Sequence, residues 1–208
     1  MDNAVRRRLD SQFAAARSLN PEKVVPINDR YKYTIEDVSL GDFIRLNSKT
    51  YVVKEIGVYR ETDEDFKKKT GDLWTELKLF CIEDGESIHI EWEKDDEVEA
   101  FVTEKTLDFT RIKDDRGDGL DEDDLDDLAE EEDTIFLDKT PFEYDDDYAA
   151  LYEREGKSPE KVYFYDFASR DKKMITIEEW GSGGGREEYQ LFLSRQINPD
   201  SIELVAKS

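Results

Sequence analysis

The chain holds a single cysteine and a single histidine, Cys81 and His89, and a thiol beside an imidazole is a pairing that makes a nucleophile. Strand parity argues against that use. The run "LWTELKLFCIEDGESIHIEWE" reads as a hairpin about Asp84 and Gly85, a pair suited to the positive φ angles of a two-residue type I′ turn. This register sets Glu83 opposite Glu86, Cys81 opposite Ile88, Leu79 opposite Ile90 and Leu77 opposite Trp92, so the last six share one apolar face. His89 falls on the other face, with Phe80, Lys78 and Glu91. Cys81 is therefore expected in the core, His89 beside Phe80, and no catalytic residue is assigned.

Carboxylates are the next candidates. Glu91 and Trp92 in "SIHIEWEKDDEVEAF" are echoed by Glu178, Glu179 and Trp180 in "MITIEEWGSGGGREEYQLF". Glu91 and Glu178 could act as acids and bases, alone or with a divalent metal. In a binding module they would be polar contributors, with Trp92 and Trp180 as the structural floor beneath them. The second reading is preferred, because no catalytic signature accompanies them. "DDRGDG" has the look of a calcium loop, but counting from Asp114 puts Arg116 at the third ligand position and Leu125 at the twelfth, where a bidentate Glu belongs. One Cys and one His are too few for a structural zinc site. "GSGGGREE" lacks the strand-to-helix setting of a phosphate-cradling loop and reads as a hairpin loop. The expectation is no metal and no cofactor.

Composition narrows the function classes. A formal net charge of -24, from 54 acidic and 30 basic side chains, repels phosphate backbones and argues against a nucleic-acid reader. An acidic mimic of nucleic acid stays open, as does adaptation of the surface to salt. A hydrophobic content of 37% with 12% aromatics supplies a core. No apolar run reaches the length of a membrane span or a signal h-region, so the expected location is cytoplasmic.

The elements that would position these residues follow from pattern. Residues 1–33 form a basic amphipathic tail, with a helix running to about Leu19 and Val5, Leu9, Phe13 and Ala16 on one stripe. Such a segment would touch a membrane only peripherally, if at all. Residues 34–112 read as a first β half, opened by Gly41 and turning at Asn47 and Ser48. Residues 113–133 read as a disordered acidic linker. Residues 134–208 read as a helix plus a second β half, the helix being "TPFEYDDDYAALYEREG": Thr140 and Glu143 as a capping box, Pro141 at the first turn, Gly156 at the end, and Tyr144, Tyr148, Leu151 and Tyr152 inward.

The halves echo one another. "DFIRLNSKT" lies over "DTIFLDKT", "SIHIEW" over "MITIEEW", and "TLDF" over "SIEL". The fold expected is mainly β, α+β by count of minor helices: two related antiparallel halves, small-barrel or sandwich-like, in pseudo-twofold relation, with one inserted helix and the acidic linker. Because one extra residue precedes Trp180, a β-bulge near Glu178 and Glu179 is expected to return it to the core face.

The succession "GDFIRLNSKTYVVKEI", "LWTELKLFCIEDGESIHIEWE" and "MITIEEW" followed by a strand resembles the prokaryotic domain-of-unknown-function family 4178, over about Leu40 to Val205. The resemblance implies a mostly β domain without an assigned activity, and an association with membrane-stress proteins. Taken together, the sequence points to a non-enzymatic, cytosolic interaction or scaffold module with a protein partner, acting through an open sheet edge or a groove between halves. A homo-oligomer stays open; the competing class is a carboxylate- or metal-dependent enzyme.

Overall fold

The computed structural model describes residues 3–181 and 188–208. The Gly-rich loop expected at 182–187 lies outside the described residues. Helix α1 (Asn3–Ser18) leads through three short 3₁₀ turns into β1 (Phe43–Leu46), β2 (Lys49–Thr62), β3 (Lys69–Cys81), β4 (Ser87–Lys94), β5 (Val98–Leu107) and β6 (Ile112–Lys113). Helix α2 (Leu125–Glu131) then precedes β7 (Thr134–Leu137), β8 (Thr140–Arg154), β9 (Glu160–Ala168), β10 (Lys173–Trp180), β11 (Glu188–Ile197) and β12 (Glu203–Ala206).

The pairing order is β12-β1-β2-β3-β4-β5-β11-β10-β9-β8-β7-β6, and a further pairing of β2 with β8 closes eight of these strands into a ring. The fold is mainly β, with the connectivity of an eight-stranded closed barrel plus extra strands. Closure leaves those eight strands without an edge to cover. Contacts divide the chain into two compact units that do not follow chain order. One comprises residues 1–57, 75–100 and 197–208, the other residues 58–74 and 101–196.

In the first unit, Asn47 and Ser48 both take positive φ (50° and 65°), as the tight β1–β2 turn requires. Gly41 lies at φ 84°, and a Cβ there would come 2.9 Å from the Ser208 side chain, so glycine is needed at this strand opening. The adjoining Asp42 is fully buried and accepts from the backbone N–H groups of Ser39 (3.0 Å) and Ser208 (2.7 Å). Helix α1 docks on the β3–β4 turn. Its Gln12 side chain donates to the carbonyls of Ile82 (2.9 Å) and Glu83 (3.1 Å), and its Ala15 is buried in a cluster with Phe43, Val52 and Ala206.

That turn is longer than the two residues expected. The Cys81 N–H donates to the Glu86 carbonyl and the Gly85 N–H to the Cys81 carbonyl, so residues 82–85 form the loop and only Gly85 has positive φ. Cys81 therefore faces Glu86 instead of Ile88. The register moves by two residues, which preserves parity, and Leu77, Leu79, Cys81 and Ile90 are all buried as the expected face requires.

In the second unit, three expectations fail. Residues 140–154 form strand β8 and no helix. Thr140 and Pro141 open the strand across from Leu137 and Phe136, and Gly156 (φ 73°) serves the turn into β9. The helical appearance has a physical origin in a register shift between Tyr144 and Asp146. Phe142 and Tyr144 pack in one hydrophobic cluster before that bulge; Tyr148, Ala150 and Tyr152 pack in another after it. The extra residue turns the second even-numbered set to the other face, so Tyr144 and Tyr148, four apart as on a helix, belong to opposite sides of one strand.

The bulge expected at Glu178 and Glu179 is absent. β10 runs in unbroken register with both neighbours, from Met174 opposite Ser194 and Ala168 to Trp180 opposite Glu188 and Val162. Trp180 needs no bulge because each face of β10 has its own core. Ile175 and Ile177 pack with Leu191 and Leu193, while Trp180 packs with Tyr59, Tyr152 and Phe164.

The acidic stretch 113–133 is ordered, not a disordered linker. Leu125 and Leu128 of α2 are buried in the cluster that holds Ile135, Phe142 and Phe167, and Tyr165 donates to Asp126 at 2.7 Å. Three leucines among the acids were enough to dock it. The Asp114 side chain, read against a calcium loop, accepts the backbone N–H groups of Arg116 (3.0 Å) and Asp118 (2.7 Å), closing a local turn.

Candidate functional site

The residues singled out from sequence take different roles. Cys81 is buried in the first unit, where burial pushes its thiol up to about 11, far from a reactive thiolate. His89 places Nδ1 3.0 Å from the buried Glu76, and Lys78 lies 3.3 Å from Glu55 and 3.7 Å from Glu76, so the face of that hairpin opposite Cys81 holds a polar cluster. Glu91 is half-buried on β4. Trp92 is also half-buried, and its Nε1 is enclosed without a hydrogen-bond partner.

In the second unit, the structure brings Glu178 and Trp180 together. Two residues apart on one strand, they share a face, and the indole Nε1 donates to the Glu178 carboxylate at 2.8 Å. Glu178 is 3% exposed. A buried carboxylate bound to an indole is a supporting member of the aromatic cluster rather than a surface contributor.

A concave feature that sequence reasoning missed lies in this second unit. A cleft of about 420 Å³ is lined by Glu61, Thr62, Asp63, Glu64, Asp65, Asp147, Tyr148, Ala149 and Tyr163. The turn after β2 supplies Asp63, Glu64 and Asp65; the middle of β8 supplies Asp147 to Ala149; β9 supplies Tyr163. Pairing of β2 with β8 brings these pieces together, and the Thr62 hydroxyl donates to the Ala149 carbonyl at 3.3 Å. The run "ETDED" was visible in the sequence, but its partners were hidden while 140–154 read as a helix.

Several of the acids here are held by neighbours, and Asp65 is paired with Lys67 at 2.9 Å. Asp63 accepts the N–H groups of Lys67 (2.7 Å) and Lys68 (3.0 Å), which hold its carboxyl below the usual range and shape the turn. Asp147 accepts from the hydroxyls of both Tyr144 and Tyr163, whose own ionisation burial and then this bond push upward. Glu61 is raised, first by burial and then by its hydrogen bond with Asp72. Acids held this close repel one another, and a cation placed among them would relieve the strain.

The sheet edges offer less than the sequence suggested. At β12 the Val25 N–H donates to the Val205 carbonyl (2.8 Å) and the Lys207 N–H to the Lys23 carbonyl (3.1 Å); at β6 the Leu120 N–H donates to the Ile112 carbonyl (3.3 Å) and Lys113 bridges Gly119. Both terminal strands are thus covered on their outer side by local chain, which blunts strand addition. Among the described residues no group of three or more His, Cys, Asp or Glu side chains is arranged to hold a metal ion. No helix among them is long and apolar enough to cross a membrane.

The class defined by this geometry is a closed, mainly β barrel with an acidic cleft. Residues 39–199 match the family described as Domain of unknown function (DUF4178), and the chain belongs to that family. No curated protein and no solved structure matches it.

Proposed function

We propose that this chain is a non-enzymatic protein-interaction module whose acidic cleft receives a basic segment of a protein partner. The observation that carries the reading is the convergence of Glu61, Asp63, Glu64, Asp65 and Asp147 with the rings of Tyr148 and Tyr163 on one concavity. Carboxylates attract Lys or Arg, tyrosine faces stack on guanidinium, and the fixed hydrogen bonds leave little ordering cost on binding. Cytoplasmic location and membership of a membrane-stress complex belong to this same reading.

The module would be built from a duplicated six-strand run in pseudo-twofold relation. In support, the pairing order is unchanged when β1–β6 and β7–β12 exchange numbers: β12 beside β1 becomes β6 beside β7, and β5–β11 and β2–β8 map onto themselves. The experiment is titration with an arginine-rich peptide by calorimetry. Binding should weaken as salt rises and fall at least fivefold in the Glu64→Gln, Asp65→Asn double variant. Equal binding by that variant, or none by the wild type at low salt, would remove the cleft from consideration.

A further inference from the structure

Helix α1 has two adjoining apolar faces, and the fold uses one. Ala15 is buried against the first unit, and the Arg8 guanidinium lies 2.9 Å from Glu86. Val5, Leu9 and Phe13 recur every four residues and line a second row, exposed to 48%, 38% and 59%. Arg6, Arg7 and Arg17 are exposed as well. An exposed apolar row flanked by arginines is the pattern of a segment that docks.

We infer that α1 of one copy of this chain occupies the acidic cleft of a second copy, an inference that rests on the cleft reading above. Charge selects this occupant. The helix carries four arginines against Asp10, in a chain whose net charge is -24, so it is an island of positive charge facing an acidic surface on any other copy. That same net charge opposes approach to an anionic bilayer, where one short helix holds weakly. In the cleft, Arg6, which flanks the apolar row on the same side of the helix as Arg17, meets the exposed Glu64 and takes over Asp65 from its 2.9 Å pairing with Lys67, and the apolar row lies against the tyrosine rings. Helix and cleft are different patches, so the contact is heterologous and propagates head to tail.

The test uses two complementary variants of the full chain, Arg6→Ala with Arg17→Ala and Glu64→Gln with Asp65→Asn, whose neutral replacements cannot pair with each other, studied by sedimentation at low salt. Wild type should associate with rising concentration, and each variant alone should associate at least tenfold more weakly. An equal mixture should form a one-to-one heterodimer and nothing larger, since only one intact helix and one intact cleft remain. A wild type that stays monomeric, a variant that still associates, or a mixture that stays monomeric would each overturn the inference. An arginine-rich peptide binding the Arg6→Ala, Arg17→Ala variant, beside a mixture that stays monomeric, would sink the helix as occupant and leave the cleft reading standing.

Discussion

In β4 the tryptophan follows Ile90 by two residues, whereas in β10 it follows Ile177 by three. The backbone around the two strands is alike: β1 and β7 are four-residue strands, each followed by two residues of positive φ (Asn47 and Ser48; Asp138 and Lys139), and each leads into a long strand. The one-residue difference moves Trp180 to the face opposite Ile175 and Ile177, beside Glu178, which accepts its indole N–H. Trp92 stays in phase with Ile90, where no such acceptor precedes it, and its Nε1 remains unpartnered. Two similar strands can differ in which face is polar through one extra residue in sequence, without a bulge in structure.

The same contrast extends to the helices. α2 buries Leu125 and Leu128, whereas α1 buries only Ala15. Leu125→Ala or Leu128→Ala should each cost about 2–5 kcal/mol in chemical denaturation, while Phe13→Ala should lie within about 0.5 kcal/mol of wild type. A loss at α2 as small as that at Phe13 would return the acidic stretch to the status of a linker.

Buried acids give a smaller effect that depends on pH. Glu76 has His89 and Lys78 beside it, whereas Asp166 accepts from the hydroxyls of Thr176 (2.6 Å) and Tyr148 (2.8 Å), and burial raises its pKa to about 6. Between pH 4 and 6 the folded chain thus holds a proton that the unfolded chain has lost. Stability from this group is full below its unfolded value and falls as pH rises through 6, by up to about 3 kcal/mol. Asp166→Asn should abolish that fall, read as the difference between the two proteins' denaturation midpoints from pH 4 to 7. Parallel curves would contradict it.

The smallest effects come from the turns closing each run. Asp108 accepts the Thr110 N–H at 2.9 Å, and Asn198 accepts the Asp200 N–H at 3.0 Å, each before a 3₁₀ turn and then a buried isoleucine, Ile112 or Ile202. Asp108→Ala and Asn198→Ala should each lower the melting temperature slightly and by similar amounts, since each removes one side-chain acceptor from a turn N–H. A large inequality in their melting shifts would weaken the equivalence of the runs. Leu107 and Ile197 each end the strand before these turns.

What could be read beforehand was what local pattern controls. The β1–β2 turn, the Gly41 opening, the apolar face of the β3–β4 hairpin and the family were all legible from short stretches. The strand at 140–154 was not, because a bulge and burial on both faces erased its alternation and left the capping signal of Thr140, Pro141 and Glu143 unopposed. The cleft was hidden for the same reason, since Asp147 and Tyr148 reach it only as strand residues. Ordering of 113–133 depended on leucines finding a distant cluster, which composition does not reveal.

The pairing of β1 with β12 also has a consequence for synthesis. Phe43 lies opposite Ala206, and Ile44 opposite Leu204. On the ribosome, β1 must wait, with one edge bare, until β12 is made, after all the other strands of the sheet. β7, whose outer neighbour β6 precedes it in the chain, has no such delay. β7 can therefore fill both its edges before β1 can, and the nascent chain exposes β1 for the longest time, which makes that strand the place where a chaperone or a neighbouring chain would most readily intervene.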